Sequence, residues 1–271
     1  MRKRLDIAPK DRIILPLDVS SIAEARRLVE LLGPHVGMFK IGFEFIYSSM
    51  ADLIMTPDNE GAIELLLDLR RLAWSIGGRK TFLDGKLNDI PNTVGKASLA
   101  ISRMGVNFFN VHASAGTGAI KAAVKAASMS HGMSKVLFVT VLTSIEGTKA
   151  QVPETKFLPD LGECVSIFGE EPNKKVLQFC VKGMDAGADG AICSPKELKF
   201  LRASSEFDKL ILVTPGVRPT WADVNDQKRV MTPAEAVSAG ADYIVAGRPI
   251  TDAKDPVAAA IRIAEEIRLA A

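Results

Sequence analysis

Short, nearly unbroken apolar runs alternate along the chain with longer stretches in which apolar residues recur at helical spacing. The runs are Arg12–Asp18, Gly37–Ile41, Thr81–Asp84, Phe108–His112, Lys135–Leu142, Gly190–Cys193, Leu210–Pro215 and Tyr243–Ala246. Continuous rather than alternating apolar character suits parallel strands buried on both faces. The segments between them carry helix start signals. Ser21 with Glu24, Ser194 with Glu197 and Thr232 with Glu235 each match the S/T-x-x-E capping box. Pro195, Pro233 and Pro256 take the first helical position, where a missing N–H costs nothing. Glycine punctuates helix ends at Ala186-Gly187-Ala188 and Ala239-Gly240-Ala241.

Eight β–α alternations make the chain an α/β protein, and they can build either an open doubly wound sheet or a closed barrel. Periodicity does not choose between the two. Polar and charged residues, however, cluster where one strand after another ends, and in a (β/α)8 TIM barrel all of those ends meet on one face. The barrel is therefore the expected fold. The 271 residues match the roughly 250 of such a barrel, and no internal repeat, low-complexity tract or linker divides them, so residues 1–271 are expected to form a single domain. Two connections look long: Tyr47–Glu60 before the second helix, and Ser144–Asn173 after the fifth strand, with Pro153, Pro159 and Pro172. Long loops in a compact domain are usually lids or mobile insertions.

Composition narrows the class further. The chain is 47% hydrophobic and 24% charged, which fits a globular protein and excludes a disordered or fibrous one. At this length folding buries roughly three quarters of the unfolded surface, so a core forms without disulfides or metals. A net charge of +2, with lysines and arginines dispersed, gives no basis for binding nucleic acid or a membrane surface. The basic run Arg2-Lys3-Arg4 reads as a solvated terminus. Cys164, Cys180 and Cys193 are odd in number and widely spaced, which argues against a disulfide framework or a zinc ribbon and for a reducing compartment. Asp6, Lys10 and Asp11 interrupt any apolar signal region, and no run approaches about 18 apolar residues. A cytoplasmic protein is expected.

The candidate chemistry lies at strand ends. In Leu83-Asp84-Gly85-Lys86-Leu87-Asn88-Asp89-Ile90-Pro91-Asn92-Thr93, Asp84 and Lys86 are two apart and would share one face of a strand, with Asp89 in the turn beyond. Two carboxylates around one ammonium can hold a lysine protonated and keep an acidic group near a substrate. The competing reading is a surface ion pair. Pro91 then stops the extended segment and Thr93 begins the next helix. Lys40, inside the apolar Met38-Phe39-Lys40-Ile41, is either a partner for a carboxylate in the site or a side chain snorkelling from the strand edge. Asp18, after Ile13-Ile14-Leu15-Pro16-Leu17, poses the same choice, and three strands each ending in a charge favour a shared site.

A second cluster lies near the C-terminus, where Thr214-Pro215-Gly216-Val217-Arg218 ends strand seven and Ala246-Gly247-Arg248 ends strand eight. Glycine lets backbone N–H groups approach an anion and arginine adds a fork of donors. The loops after these two strands are the usual phosphate site of such barrels, although ordinary turns also use glycine. His112, at the end of strand four, is expected to be structural. His35 and His131 lack metal-ligand spacing, so no metal site is expected. Gly116-Thr117-Gly118 reads as a turn that starts a helix.

With these residues in hand, the chain resembles the orotidine 5′-phosphate decarboxylase family, enzymes of the last step of uridine monophosphate synthesis. The likeness runs through Leu17-Asp18, Phe39-Lys40-Ile41-Gly42, Asp84-x-Lys86-x-x-Asp89-Ile90-Pro91-Asn92-Thr93, Asn110-Val111-His112-Ala113, Thr140-Val141-Leu142-Thr143-Ser144, Thr214-Pro215-Gly216-Val217-Arg218 and Val245-x-Gly247-Arg248-Pro249. Ile90-Pro91-Asn92-Thr93 is the specific part, since related sugar-phosphate decarboxylases and synthases share D-x-K-x-x-D without it. That stretch and the Gln227 loop count against a magnesium-dependent relative of this kind. The resemblance implies a homodimeric carboxy-lyase with no metal or organic cofactor, turning orotidine 5′-monophosphate into UMP and CO2. By it, Asp18 would bind the ribose, Lys40 would join the charge network and contact the sugar, Asp84 would crowd the substrate carboxylate, and Lys86 would protonate C6. Asp89, Ile90 and Thr93 would serve the neighbouring subunit's site. Thr143 would contact the pyrimidine and Pro215 the substrate, while Arg218, Gln227, Gly247 and Arg248 would hold the phosphate. Gln227 would ride on a Pro219–Arg229 loop that closes over the ligand. Three departures from the family stand out: Gly85 replaces a bulkier residue, Leu87-Asn88 replaces a Phe-His pair, and insertions near Ser48–Gly61 and Gly147–Asn173 lengthen two loops.

Overall fold

The computed structural model describes residues 6–77, 80–130, 134–145, 163–222 and 231–270. Its strands are β1 (Ile13–Pro16), β2 (Met38–Ile41), β3 (Thr81–Leu87), β4 (Phe108–His112), β5 (Lys135–Val139), β6 (Gly190–Ile192), β7 (Ile211–Thr214) and β8 (Tyr243–Val245). They pair in parallel in chain order, and β8 returns to β1 through Ile13↔Ile244 and Ile14↔Val245, so the sheet closes into a (β/α)8 barrel. Each expected strand is present, β4 with the expected bounds and the others with shifted ends. The largest shifts are at β3, which runs on to Leu87, and at β5, which stops at Val139 and leaves Thr143 in the following loop.

The helices are α1 (Ile22–Leu32), α2 (Phe43–Met55), α3 (Asn59–Ile76), α4 (Pro91–Arg103), α5 (Gly116–Met129), α6 (Glu163–Phe168), α7 (Pro172–Asp185), α8 (Leu198–Arg202), α9 (Pro233–Ser238), α10 (Arg248–Thr251) and α11 (Pro256–Ala270). Thr232 with Glu235 forms a full capping box, whereas on the short 3-10 turn before α8 only the return half is made, Glu197 Oε2 accepting from Ser194 N at 2.9 Å. Ser21 makes the forward half, its hydroxyl accepting from Glu24 N at 3.2 Å. Pro91, not Thr93, opens α4, as a proline at the first helical position can.

One expected loop is not a loop. Most of Tyr47–Glu60 is helical, because Phe43–Met55 contains neither glycine nor proline and Asp58 caps α3 by accepting from Gly61 N at 2.7 Å. Residues near Ser48–Gly61 therefore lengthen helices. Of the second long connection, residues 146–162 lie outside the described residues, and α6 and the start of α7 account for much of the remainder.

Two layers stack inside the barrel. Ile14, Met38, Phe82, Phe108, Leu137, Ile211 and Val213 form a closed apolar plug, with Phe108 edge-on to Phe82 and Tyr243 at ring separations of 6.1 and 5.3 Å. A strand returns to the same face every second residue. The inward positions one step further toward the strand ends are accordingly Lys40 on β2, Asp84 on β3 and Asn110 on β4. A much larger apolar cluster fills the space between the sheet and the surrounding helices.

The opposite end of the barrel is closed by charge. Arg202 Nη2 donates to Asp242 Oδ2 at 2.9 Å, and the same carboxylate oxygen accepts from Leu212 N at 2.9 Å. Arg202 also donates to the carbonyls of Gly240, Phe207 and Leu210, and Arg12 Nη1 donates to Asp242 O at 3.0 Å. This knot ties the starts of β1, β7 and β8 to α8. Removing one partner of a buried pair leaves the other charge uncompensated. Asp242→Ala should lower the unfolding free energy by about 3–5 kcal/mol in urea denaturation; a loss below about 1 kcal/mol, the worth of an exposed pair, would show that the knot does not hold the barrel floor.

Candidate active site

At the strand-end face, Asp84 lies between two ammonium groups. Its Oδ1 accepts from Lys86 Nζ at 2.8 Å and from Asn110 Nδ2 at 2.7 Å, and its Oδ2 pairs with Lys40 Nζ at 3.3 Å. Lys40 Nζ also donates to Asp18 Oδ1 at 3.1 Å. The result is a chain Asp18–Lys40–Asp84–Lys86 that alternates in sign and draws on the ends of β1, β2 and β3. Of the two readings open for Lys40, the carboxylate partner is the one the fold adopts. Asp84 and Lys40 are largely buried, whereas Asp18 reaches solvent. Burial by itself pushes the Asp84 carboxyl up, but the charges of Lys40 and Lys86, with hydrogen bonds from Lys86 and Asn110, overcome it and hold the carboxyl below its ordinary value. Asp84 is therefore a carboxylate at neutral pH.

Simple alternation along β3 is not what brings Asp84 and Lys86 together. Between the register pairs Leu83↔Phe109 and Leu87↔Val111, β3 carries two residues more than β4. The chain bulges there, and Lys86 takes a φ of 39°, the only positive value at a non-glycine residue among the described residues. At Gly85 a Cβ would meet only a Leu87 methyl at 4.0 Å, so the bulge has room for a side chain there. Lys86 Nζ lies 5.3 Å from the centre of the Phe43 ring at the start of α2, within cation–π range. His112, one inward step beyond Asn110, has its Nδ1 2.7 Å from Ser114 Oγ. Burial, then the Lys86 charge, lowers its pKa, so the imidazole is neutral at pH 7.

Asp89, Ile90 and Thr93 are not part of this cluster within one chain. Residues 88–93 are all exposed, Ile90 by 66%, and Asp89 Oδ1 accepts from its neighbour Ile90 N at 2.6 Å. Within the chain, and among the described residues, Lys86 thus has one carboxylate partner and not two. Thr143, Pro215, Arg218, Gly247 and Arg248 follow β5, β7 and β8 on the same barrel face. Arg218 is buried, its N–H donating to Met231 O at 2.9 Å. Gly247 has a packing reason of its own: a Cβ there would come 2.7 Å from Pro16 Cγ on β1. Gln227 and His131 lie outside the described residues. Burial, then the Glu197 charge, pushes the Cys180 thiol up to about 12, and Cys193 is raised well above its ordinary value, so neither is a nucleophile.

Residues 11–263 match the model of the family described as "Orotidine 5′-phosphate decarboxylase / HUMPS family". The chain belongs to that family. It is 37% identical to the orotidine 5′-phosphate decarboxylase of Moorella thermoacetica over 99% of this chain and 97% of that protein. It is 40% identical to that of Heliobacterium modesticaldum over 95% and 96%. The crystal structure of orotidine 5′-phosphate decarboxylase from Lactobacillus acidophilus superposes with a TM-score of 0.71 at 31% identity, covering 94% of this chain and 98% of that one. Among the described residues no helix is long and apolar enough to cross a membrane.

Sequence reasoning gave no role to Gly42, Phe43 or Asn110, although Gly42 and Asn110 stand in the blocks that carry the resemblance. Gly42 is the floor under the Lys40 ammonium, since a Cβ there would come 2.9 Å from Lys40 Nζ and 3.5 Å from Asp18 Oδ1. Its φ of −108° is open to any residue, so space and not backbone conformation sets the requirement. Gly42→Ala is expected to displace Lys40 from between the two carboxylates and raise the pH at which Asp84 protonates, followed by 13C NMR of the Asp84 carboxyl. An unmoved titration would show that the ammonium has room to spare.

Proposed function

We propose that this chain is a single-domain, cytoplasmic orotidine 5′-phosphate decarboxylase that acts as a homodimer and uses only its own side chains for the chemistry. The observation that carries the reading is the Asp84–Lys86 pair at 2.8 Å, one Asp84 oxygen taking Lys86 while the other faces Lys40, in a chain of this family. Breaking the bond between C6 and the substrate carboxylate leaves the electron pair on C6 in an orbital the pyrimidine π-system cannot absorb. The Lys86 ammonium meets that charge as it develops, then gives its proton to C6 as CO2 departs; the neutral amine regains a proton from solvent. Asp84, already ionised, holds the ammonium in place before the substrate arrives, so no reorganisation is needed during the reaction. Lys40, fixed by Asp18 and Asp84, keeps the buried carboxylate neutralised and offers N–H donors toward the sugar, with Asp18 beside it for the ribose.

Thr143 and Pro215 border the base, and Arg218, Gln227, Gly247 and Arg248 take the phosphate. Phosphate binding energy then supports loop closure, which excludes water from the carbanion.

The homodimer reading rests on the exposed segment 88–93. Ile90 is an apolar side chain in water beside a charged site, and the adjacent groove between α4 and α5, with Leu99, Ala122 and Met129, continues the apolar surface. A second copy docked there would cover Ile90 and Thr93 and bring its Asp89 to the partner's Lys86, supplying the second carboxylate that one chain lacks. The buried thiols fit a reducing compartment.

The direct test mixes purified protein with orotidine 5′-phosphate and follows loss of its ultraviolet absorbance; a folded dimer without turnover would sink the reading. Lys86→Ala should lower turnover at least about 10³-fold while UMP still binds, and retained chemistry with lost binding would contradict its assigned role. Lys86→Ala and Asp89→Ala proteins, each inactive alone, should regain about a quarter of wild-type activity after equimolar dissociation and reassociation, since about half the dimers are mixed and each has one intact site. No recovery despite subunit exchange would place Asp89 outside the partner's site.

A further inference from the structure

One buried side chain touches both members of the central pair. Asn110, 1% exposed on β4, donates from Nδ2 to Asp84 Oδ1 at 2.7 Å and accepts at Oδ1 from Lys86 N at 2.7 Å. It sits in the register between Phe109 and Val111, opposite the place where β3 carries its extra residues. A bulge breaks the ladder and strands backbone N–H groups. A buried N–H without a partner is costly, and here the partner is a side-chain amide instead of a peptide carbonyl. Lys86 is also the residue at φ 39°, a conformation that persists for a non-glycine residue only when its surroundings hold it.

We propose that Asn110 is a positioning residue for the decarboxylation: its amide replaces the peptide missing from the β3–β4 ladder, fixes the left-handed turn at Lys86 and sets the Asp84 carboxylate under the Lys86 ammonium. The proposal rests on the decarboxylase reading above. The two contacts demand one acceptor and one donor on a short, neutral side chain. An ionised Asp84 can only accept and the Lys86 N–H can only donate, so the amide orientation is determined and asparagine meets both needs. Aspartate has the same shape but would set a second negative charge against Asp84. Alanine would leave the Lys86 N–H and an Asp84 lone pair unpaired.

The charged and titratable groups around Asp84 are Lys40 from β2 with Asp18 beyond it, Lys86 from its own strand, and His112 from β4, which feels the Lys86 charge. Asn110 is the neutral donor among them. Its hydrogen bond favours the ionised carboxyl, so losing it moves Asp84 protonation to higher pH.

The test compares the unmodified protein with Asn110→Ala and the isosteric Asn110→Asp, each shown folded by circular dichroism. Turnover of orotidine 5′-phosphate is measured against pH, and the Asp84 carboxyl is titrated by 13C NMR. Both variants should lose about 10- to 100-fold in kcat with KM changed less than about 3-fold, and both should show the acid limb and the Asp84 titration moved upward. An active unmodified protein, with variants whose kcat and Asp84 titration match it, overturns the proposal alone. A fall in kcat with an unmoved titration also overturns it, by assigning Asn110 a general structural role. Absence of turnover in the unmodified protein overturns the decarboxylase reading and the catalytic role of Asn110 with it. The NMR titration is read in either case.

Discussion

A carboxylate removed from water at the mouth of a barrel survives only if positive charge and hydrogen-bond donors replace the solvent it has lost. Asp84 is such a group, and its needs organise the site around it. Lys40 approaches one of its oxygens from the neighbouring β2 and Lys86 the other from its own strand, Asn110 adds a neutral donor from β4, and Asp18 balances the far side of Lys40. Each of these residues is where it is because the barrel brings adjacent strand ends within a few ångströms of one another.

The barrel interior explains why the charges can be held so rigidly. The apolar plug of Ile14, Met38, Phe82, Phe108 and Leu137 fills the space below, so the next inward layer stands on a packed floor. Lys40, Asp84 and Asn110 rise from that floor on three consecutive strands and cannot sink. At the other end the Arg202–Asp242 knot closes the strand starts. Stability and chemistry thus occupy opposite ends, the usual division of labour in this architecture.

The bulge in β3 is the one departure from regular geometry that the site requires. An unbroken strand would separate the Asp84 and Lys86 Cα atoms along a straight line, each side chain standing perpendicular to the sheet. Two extra residues and a left-handed turn fold the Lys86 stem back, so its ammonium meets the Asp84 oxygen at 2.8 Å and the Phe43 ring face.

The linear pattern of residues was enough to determine the parallel strands, the helix caps at Thr232 and Ser194, and the residues carrying the charges, because these follow from local periodicity and from the cost of burying an ammonium such as Lys40 in an apolar strand. Asn110 was legible in principle: Phe108-x-Asn110-x-His112 turns polar on every second residue, the signature of an inward face leaving the core. What only the tertiary structure decided was closure of the sheet, the helical character of Phe43–Met55, the bulge at Lys86 and the space over Gly42. Register and close approach depend on residues tens of positions apart meeting across strands. Asp89, in the turn beyond β3, stands exposed within its own chain: proximity along the chain ends where the strand ends.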